Sequence, residues 1–194
     1  MSSKLRIAIL ASGSGTNAEA IIKYFYNSKN IEVTCLGSNK KMAAALEKAA
    51  RLNISTFYQS GKKEESREEF DLRLIKKLEI HRPDWIILAG YMRLLSPSFL
   101  KYFNYQVINI HPSLLPAFPG SNAYEQAFSA MVSESGCTVH LVDEGMDTGR
   151  IIAQKSFPLY PNDTLNDFKE RGLKIENEFY PEVLDKYLMQ KIHI

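Results

Sequence analysis

Cysteine is scarce in this chain. Cys35 and Cys137 are the only two among 194 residues, and no Cys-x-x-Cys or cysteine–histidine cluster accompanies them. That excludes a disulfide-stapled scaffold and a thiolate zinc site, and both residues, set in apolar strand-like runs, are expected as buried thiols of a reducing compartment. Neither sign of charge prevails: 24 lysines and arginines face 22 aspartates and glutamates, interspersed, for a formal net charge of +2. Bulk binding to nucleic acid or membrane is therefore not expected, and any anion specificity must come from a local site. No apolar run is long enough to cross a bilayer. Internal repeats, low-complexity segments and flexible linkers are also missing. The run Leu5-Arg6-Ile7-Ala8-Ile9-Leu10 enters a glycine loop and reads as a first strand rather than a signal peptide, so a cytoplasmic location is expected.

Hydrophobic residues make up 45% of the chain and charged ones 24%, enough to build a core without staples. Strand-length apolar runs alternate with helical patterns. Leu5 to Ala11 reads as a strand, and Ala18, Ile21, Ile22 and Phe25 then fall on one helical face. Ile31 to Leu36 is a second strand, Met42 to Leu52 a helix, and Ile54 to Tyr58 a short third strand before the polar loop Gln59 to Lys63. Phe70, Leu74 and Leu78 mark a helix from Glu64 to His81, and Trp85 to Ala89 is a strand buried on both faces. Strands at Val107 to Ile110, Cys137 to Val142 and Ile151 to Phe157 follow, with a helix from Asn122 to Val132. The last two strands are too close for a helical crossover and are expected to be antiparallel. A final helix starts near Asn162-Asp163-Thr164 and carries Ile175, Phe179 and Val183, with Pro181 expected to kink it. The order implies an α/β, Rossmann-like, doubly wound and mostly parallel sheet with an antiparallel pair in its C-terminal half. One domain, 1–194, is expected, its halves 1–104 and 105–194 sharing that sheet.

The segment Val107-Ile108-Asn109-Ile110-His111-Pro112-Ser113-Leu114-Leu115-Pro116 carries the most chemistry. Side chains alternate along a strand, so Asn109 and His111 share a side while Ile108 and Ile110 fill the other. An amide donor beside an imidazole at a rigid strand end suits an oxyanion and a proton transfer. Ser12-Gly13-Ser14-Gly15-Thr16-Asn17 joins the first strand to the first helix, with glycines that admit a ligand and helix-start N–H groups suited to phosphate. With Ala18 it satisfies the dinucleotide pattern G-x-G-x-x-A, but Leu36-Gly37-Ser38-Asn39-Lys40 stands where that pattern wants an acid. An NADP reading through Lys40 and Lys41 stays open, as does a plain turn. A phosphate-ester site is favoured.

In such sheets ligands gather at the carboxyl ends of strands, which places Gly13 to Asn17, Gly90 to Leu95, His111 and Asp143 to Asp147 together. The last segment offers Asp143, Glu144 and Asp147 as partners that could orient His111, or as turn residues. His140, in mid-strand, reads as packed or as a support behind the site residues, and His81 and His193 as surface residues. A metal site of His111, His140 and an aspartate is an alternative. Tyr91-Met92-Arg93-Leu94-Leu95 sets a cation in apolar surface, suited to a flat heteroaromatic ligand with a carboxylate tail.

Taken in order, Ser12 to Asn17, Leu88 to Pro97, Ile108 to Pro116, Pro119-Gly120 and Thr138 to Val142 with Asp147 resemble the phosphoribosylglycinamide formyltransferase (GAR transformylase) family of folate-dependent formyltransferases. Asn-x-His-Pro-Ser-Leu-Leu-Pro is specific to that superfamily, and the glycine loop and compact length point to this member. Methionyl-tRNA formyltransferase differs in its first loop and has a further domain. Formyltetrahydrofolate deformylase has a regulatory domain not expected here.

The resemblance implies formyl transfer from 10-formyltetrahydrofolate to the amine of 5-phosphoribosylglycinamide in purine synthesis, without a metal. By it, Asn109, His111 and Asp147 match the catalytic triad. Gly15, Thr16 and Asn17 match the phosphate site, and Glu176 a residue contacting the glycinamide substrate. Arg67, Met92, Arg93, Leu94, Leu95 and Asn109 match the formyl-folate site, and Leu115-Pro116 a cis bond. Arg150 stands where many relatives have proline, and Ala117-Phe118 where some have Lys-Tyr, which bears on the folate loop. A formyl-folate hydrolase, an NADP oxidoreductase and a catalytically silent binding module are the rivals; a monomer or homodimer is expected.

Overall fold

The computed structural model describes residues 4–192, and His193 lies outside them. The strands are β1 (Leu5–Leu10), β2 (Ile31–Ser38), β3 (Ser55–Tyr58), β4 (Trp85–Leu88), β5 (Val107–His111), β6 (Glu134–Leu141) and β7 (Ile151–Pro158). The helices are α1 (Thr16–Phe25), α2 (Ala44–Arg51), α3 (Arg67–Glu79), α4 (Pro97–Tyr102), α5 (Ala123–Ser129) and α6 (Leu165–Ile192). All seven strands form one sheet, ordered β3-β2-β1-β4-β5-β6-β7. β1 to β5 are parallel, while β6 is antiparallel to both β5 and β7. The expected antiparallel pair is thus present, and the reversal extends one strand further than the short β6–β7 loop indicates. α5 packs against α6 through Tyr124, Ala127 and Phe168 and does not serve as a crossover for a parallel return.

Both faces of the sheet are covered, and β1 shows why. Ile7 and Ile9 face the cluster that includes Ile21 and Ile22 of α1 and Leu184 and Leu188 of α6; Ala8 and Leu10 face Phe70 and Leu74 of α3 and Phe99 of α4. Alternation along a strand feeds two cores at once. No helix among the described residues is long and apolar enough to cross a membrane.

Local chemistry fixes the helix boundaries. α3 starts at Arg67 rather than Glu64 because Ser66 and Glu69 form a reciprocal capping box, while Glu64 adopts a left-handed backbone. α4 is not legible as periodicity; Ser96 caps it by accepting from Phe99 N–H, and Pro97 occupies its first turn. β6 begins at Glu134 rather than Cys137 because Glu134, Ser135 and Gly136 already pair with β7. α6 runs on through Pro181. Beside that proline the fully buried Tyr180 places its hydroxyl 3.0 and 3.1 Å from the carbonyl oxygens of Leu88 and Ile108, which ties α6 to the ends of β4 and β5.

Candidate active site

Between β1 and β4 the strand order reverses direction, the place where an open α/β sheet parts its loops. Ser12 stitches these loops together. Its hydroxyl donates to Asn39 Oδ1 (2.5 Å) and accepts from Met92 N–H (2.8 Å), while its own N–H meets the Gly90 carbonyl. The segments after β1, β2 and β4 are therefore held in one geometry.

His111 ends β5 and is 4% exposed. Its Nδ1 lies 3.3 Å from Asp147 Oδ2 and its Nε2 2.8 Å from the carbonyl of Phe118. Asp147 Oδ2 also accepts the N–H of Gly120 at 2.8 Å, which fixes the carboxylate from a second side. Asn109 points its amide nitrogen at His140 Nε2, 3.2 Å away. His140 Nδ1 donates to the Leu141 carbonyl at 2.8 Å, so the neutral ring presents Nε2 as an acceptor. Burial holds the His140 pKa below its ordinary 6.5, in agreement with that neutral form. One Asn109 N–H is thereby occupied and the other is left for a ligand.

Asp147 reaches this site by an indirect route. Because β6 is reversed, its loop leaves near the start of β5, where Val142 N–H bonds the Val107 carbonyl, and folds back over the sheet. The three acids of the loop then separate by role. Asp143 accepts from Gly145 N–H and the Thr148 hydroxyl, a turn function; Glu144 accepts from Tyr105; Asp147 takes His111.

The His-Pro-Ser-Leu-Leu-Pro loop is pinned by groups that sequence reading did not single out. Thr138 donates to the Ser113 carbonyl (2.6 Å) and accepts from Leu115 N–H (3.0 Å), and Gln154 donates to both Thr138 and the Leu115 carbonyl. Ser113 donates to the Ala117 carbonyl, and the Leu115-Pro116 peptide is cis.

At the glycine loop, Gly15 caps α1 with a left-handed backbone (φ 71°) and no side-chain bond. A Cβ there would sit 2.5 Å from that of Ala45, so the position requires glycine both by angle and by space. Thr16 and Asn17 open the helix. Asn17 donates to Glu176 Oε2 at 2.7 Å, and the Tyr124 hydroxyl donates to Oε1. Burial pushes the Glu176 pKa above its ordinary 4.5, against the opposing effect of those two donors and of His111.

An open cleft lies beside Asn109 and Asp147. Leu88, Leu95 and Val142 give it apolar walls, and Arg93, Asn109, His140 and Asp147 give it polar ones. The Arg93 guanidinium stacks 3.9 Å from the Phe70 ring centre, and its buried Nε has no partner among the described residues. Of the residues matched to a formyl-folate site, Arg93, Leu94, Leu95 and Asn109 line this cleft. Met92 (74% exposed) and Arg67 do not; Arg67 starts α3, half-exposed, 3.8 Å from Glu68.

Of the remaining histidines, His140 is buried and supports Asn109 from behind, as one of its two expected roles, and His81 is half-buried, stacked with Phe57, rather than at the open surface. Among the described residues no group of three or more His, Cys, Asp or Glu is placed to hold a metal ion. Both cysteines are buried, with thiol pKa values pushed up to about 12 by desolvation. Arg150 donates to the Tyr187 hydroxyl at 3.1 Å.

A sequence model of the formyl transferase family matches residues 5–184. The chain is 42% identical over 184 residues to the phosphoribosylglycinamide formyltransferase of Bacillus subtilis (strain 168), covering 94% of each chain. It is 41% identical over 182 residues to the trifunctional purine biosynthetic protein adenosine-3 of Drosophila melanogaster, covering 92% of this chain and 14% of that protein. Its fold superimposes on the crystal structure of phosphoribosylglycinamide formyltransferase from Bacillus halodurans with a TM-score of 0.90 at 42% identity, covering 94% of this chain and 95% of that one.

Proposed function

The chain belongs to the formyl transferase family, and from that premise we propose that it moves a formyl group from 10-formyltetrahydrofolate to the amine of 5-phosphoribosylglycinamide, a step of purine biosynthesis. The observation that carries this reading is the His111–Asp147 contact at 3.3 Å, set beside Asn109 at the edge of an apolar-walled cleft. Residues 1–194 act as one domain, with the ribonucleotide on the 1–104 side and the triad on the 105–194 side of a common sheet.

The acceptor amine attacks the formyl carbon, and negative charge develops on the formyl oxygen. Asn109 offers the N–H that His140 leaves free, and His111 offers positive charge held in place by Asp147 and the Phe118 carbonyl. One such donor contributes about 3 kcal/mol to the barrier reduction. As the folate nitrogen leaves with the electron pair of its bond to carbon, the proton released by the attacking amine replaces it, and His111 with Asp147 forms the relay. The larger share comes from holding two substrates in reach of one another, worth roughly 7–11 kcal/mol in well-oriented systems.

Gly15, Thr16 and Asn17 bind the phosphate through helix-start N–H groups, and Glu176 binds the glycinamide side of the ribonucleotide. The flat ring of the folate fits between Leu88, Leu95 and Val142. Arg93, Leu94 and Asn109 border it, and Met92 and Arg67 extend the contact outward to the glutamate tail. Asp147 serves the chemistry without a metal, and the substrates are small molecules.

The test is acceptor dependence. Loss of 10-formyltetrahydrofolate should require phosphoribosylglycinamide and give its formylated product in equal amount. Equal loss without acceptor, with release of formate, would establish a hydrolase instead.

A further inference from the structure

Glu176 is 4% exposed, and no lysine or arginine pairs with it among the described residues. Its two oxygens are held by neutral donors on different elements: Asn17 Nδ2 from α1, at 2.7 Å, and the Tyr124 hydroxyl from α5. A buried carboxyl group with no lysine or arginine beside it is costly to ionise, and only a side chain with two oxygens accepts from both donors at once. The carboxyl group is therefore suited to a ligand that arrives with donors of its own. Each oxygen retains a free lone pair for it. Asn17 Oδ1 is likewise buried and has no partner among the described residues, which leaves an acceptor beside the carboxylate.

Tyr124 is seated with unusual specificity. A Cβ on Gly172 would lie 2.3 Å from its hydroxyl oxygen and 2.5 Å from its ring. Gly172 precedes Glu176 by one helical turn on α6, so the missing side chain makes a notch through which the phenol reaches the carboxylate. The ring is closed in by Phe168 in an edge-to-face contact at 5.7 Å. Burial and the neighbouring carboxylate push the Tyr124 pKa well above its ordinary 10, so the hydroxyl stays a donor throughout the working pH range.

We propose that Tyr124 is a positioning residue for the acceptor substrate: seated in the Gly172 notch, its hydroxyl fixes the Glu176 carboxylate toward the ligand that Gly15, Thr16 and Asn17 anchor. This rests on the proposed ribonucleotide site. The pairing selects an acceptor with hydroxyl or ammonium donors next to its phosphate and disfavours one with a second acidic group there.

Steady-state kinetics on Tyr124→Phe, Glu176→Gln and the double variant test it. Tyr124→Phe should raise the KM for phosphoribosylglycinamide about tenfold, the scale of one hydrogen bond to a charged group, with smaller changes in kcat and in the folate KM. In the Glu176→Gln background the same change should have little further effect, because the hydroxyl acts through that carboxylate. Gly172→Ala, which displaces the phenol and leaves its hydroxyl intact, should reproduce the Tyr124→Phe phenotype and gives the same reading if Tyr124→Phe folds poorly. If Glu176→Gln raises the ribonucleotide KM but Tyr124→Phe and Gly172→Ala do not, the positioning role is wrong and the ribonucleotide site stands. If Glu176→Gln has no effect on that KM, the assignment of Glu176 itself fails.

Discussion

Asp147 lies 3.3 Å from His111, although its loop departs from β6 at the far end of β5, beside Val107. The loop must return along the whole of β5, about 13 Å at the rise of a strand. Asp147 accepts a left-handed backbone at the end of that return (φ 56°), and Phe118, whose carbonyl holds the other His111 nitrogen, does the same (φ 53°). Such conformations cost a residue with a side chain roughly 1–2 kcal/mol each, and here the hydrogen bonds of Gly120 and His111 hold them.

His111→Ala and Asp147→Asn should each lower kcat by about 10²–10³, the range for removing one group that meets developing charge. Dissociation constants for both substrates should change far less, because that charge exists chiefly in the transition state. Rapid-quench turnover with equilibrium binding on the same preparations separates the two effects. Near-normal kcat in either folded variant would remove the triad from the reaction.

The return of the Asp147 loop depends on Gly149. A Cβ there would stand 1.8 Å from the Leu141 carbonyl oxygen, so Gly149→Ala must displace backbone at the loop exit. Destabilisation by about 1–3 kcal/mol is expected, as for other overpacked sites. Activity should fall further than the folded fraction, since Asp147 moves with the loop. Thermal unfolding and kcat measured together check this; a variant with wild-type kcat would show that the loop absorbs the change without moving Asp147.

Gly15→Val combines a β-branched side chain with a left-handed backbone and a 2.5 Å clash with Ala45. It should cost about 1–2 kcal/mol from the backbone alone and raise the ribonucleotide KM more than the folate KM, because the N–H groups of residues 15 to 17 shift. Equal effects on both substrates in the folded variant would move the phosphate site elsewhere.

Glu176 makes the fold sensitive to pH in a definite direction. Its pKa is raised on folding above the ordinary 4.5, so between 4.5 and its folded value the native state keeps a proton that the unfolded chain gives up. Stability from this group is complete below 4.5 and is lost as pH rises through the folded value. Glu176→Gln removes that dependence, so the variant should gain on wild type as pH rises from 4 to 8 in urea titrations. A constant difference across that range would show that the carboxyl titrates alike in both states.

What the sequence determined by itself is whatever depends on neighbours along the chain. Alternation in Val107 to His111 puts Asn109 and His111 on one side, and in the structure Asn109 lines the cleft while His111 meets Asp147, which lines it too. Helical spacing in residues 18 to 25 and 70 to 78 gives α1 and α3, and the glycine before Thr16 gives the left-handed start of α1. α4 escaped because a single turn of helix has no period to read; its cap at Ser96 and Pro97 was the available signal. The choice among Asp143, Glu144 and Asp147 was not available locally, since each acid is equally suited to a turn or a site. The family resemblance named Asp147, and the tertiary structure supplies its route to His111 through the reversal of β6 and the fold-back of its loop. Tertiary structure alone sets His140 beneath Asn109, Thr138 and Gln154 under the proline loop, and Asn17 against Glu176, separated by 159 residues. Those pairings follow from how strands and helices stack, and the energy that selects them is spread over the two cores rather than written in any one segment.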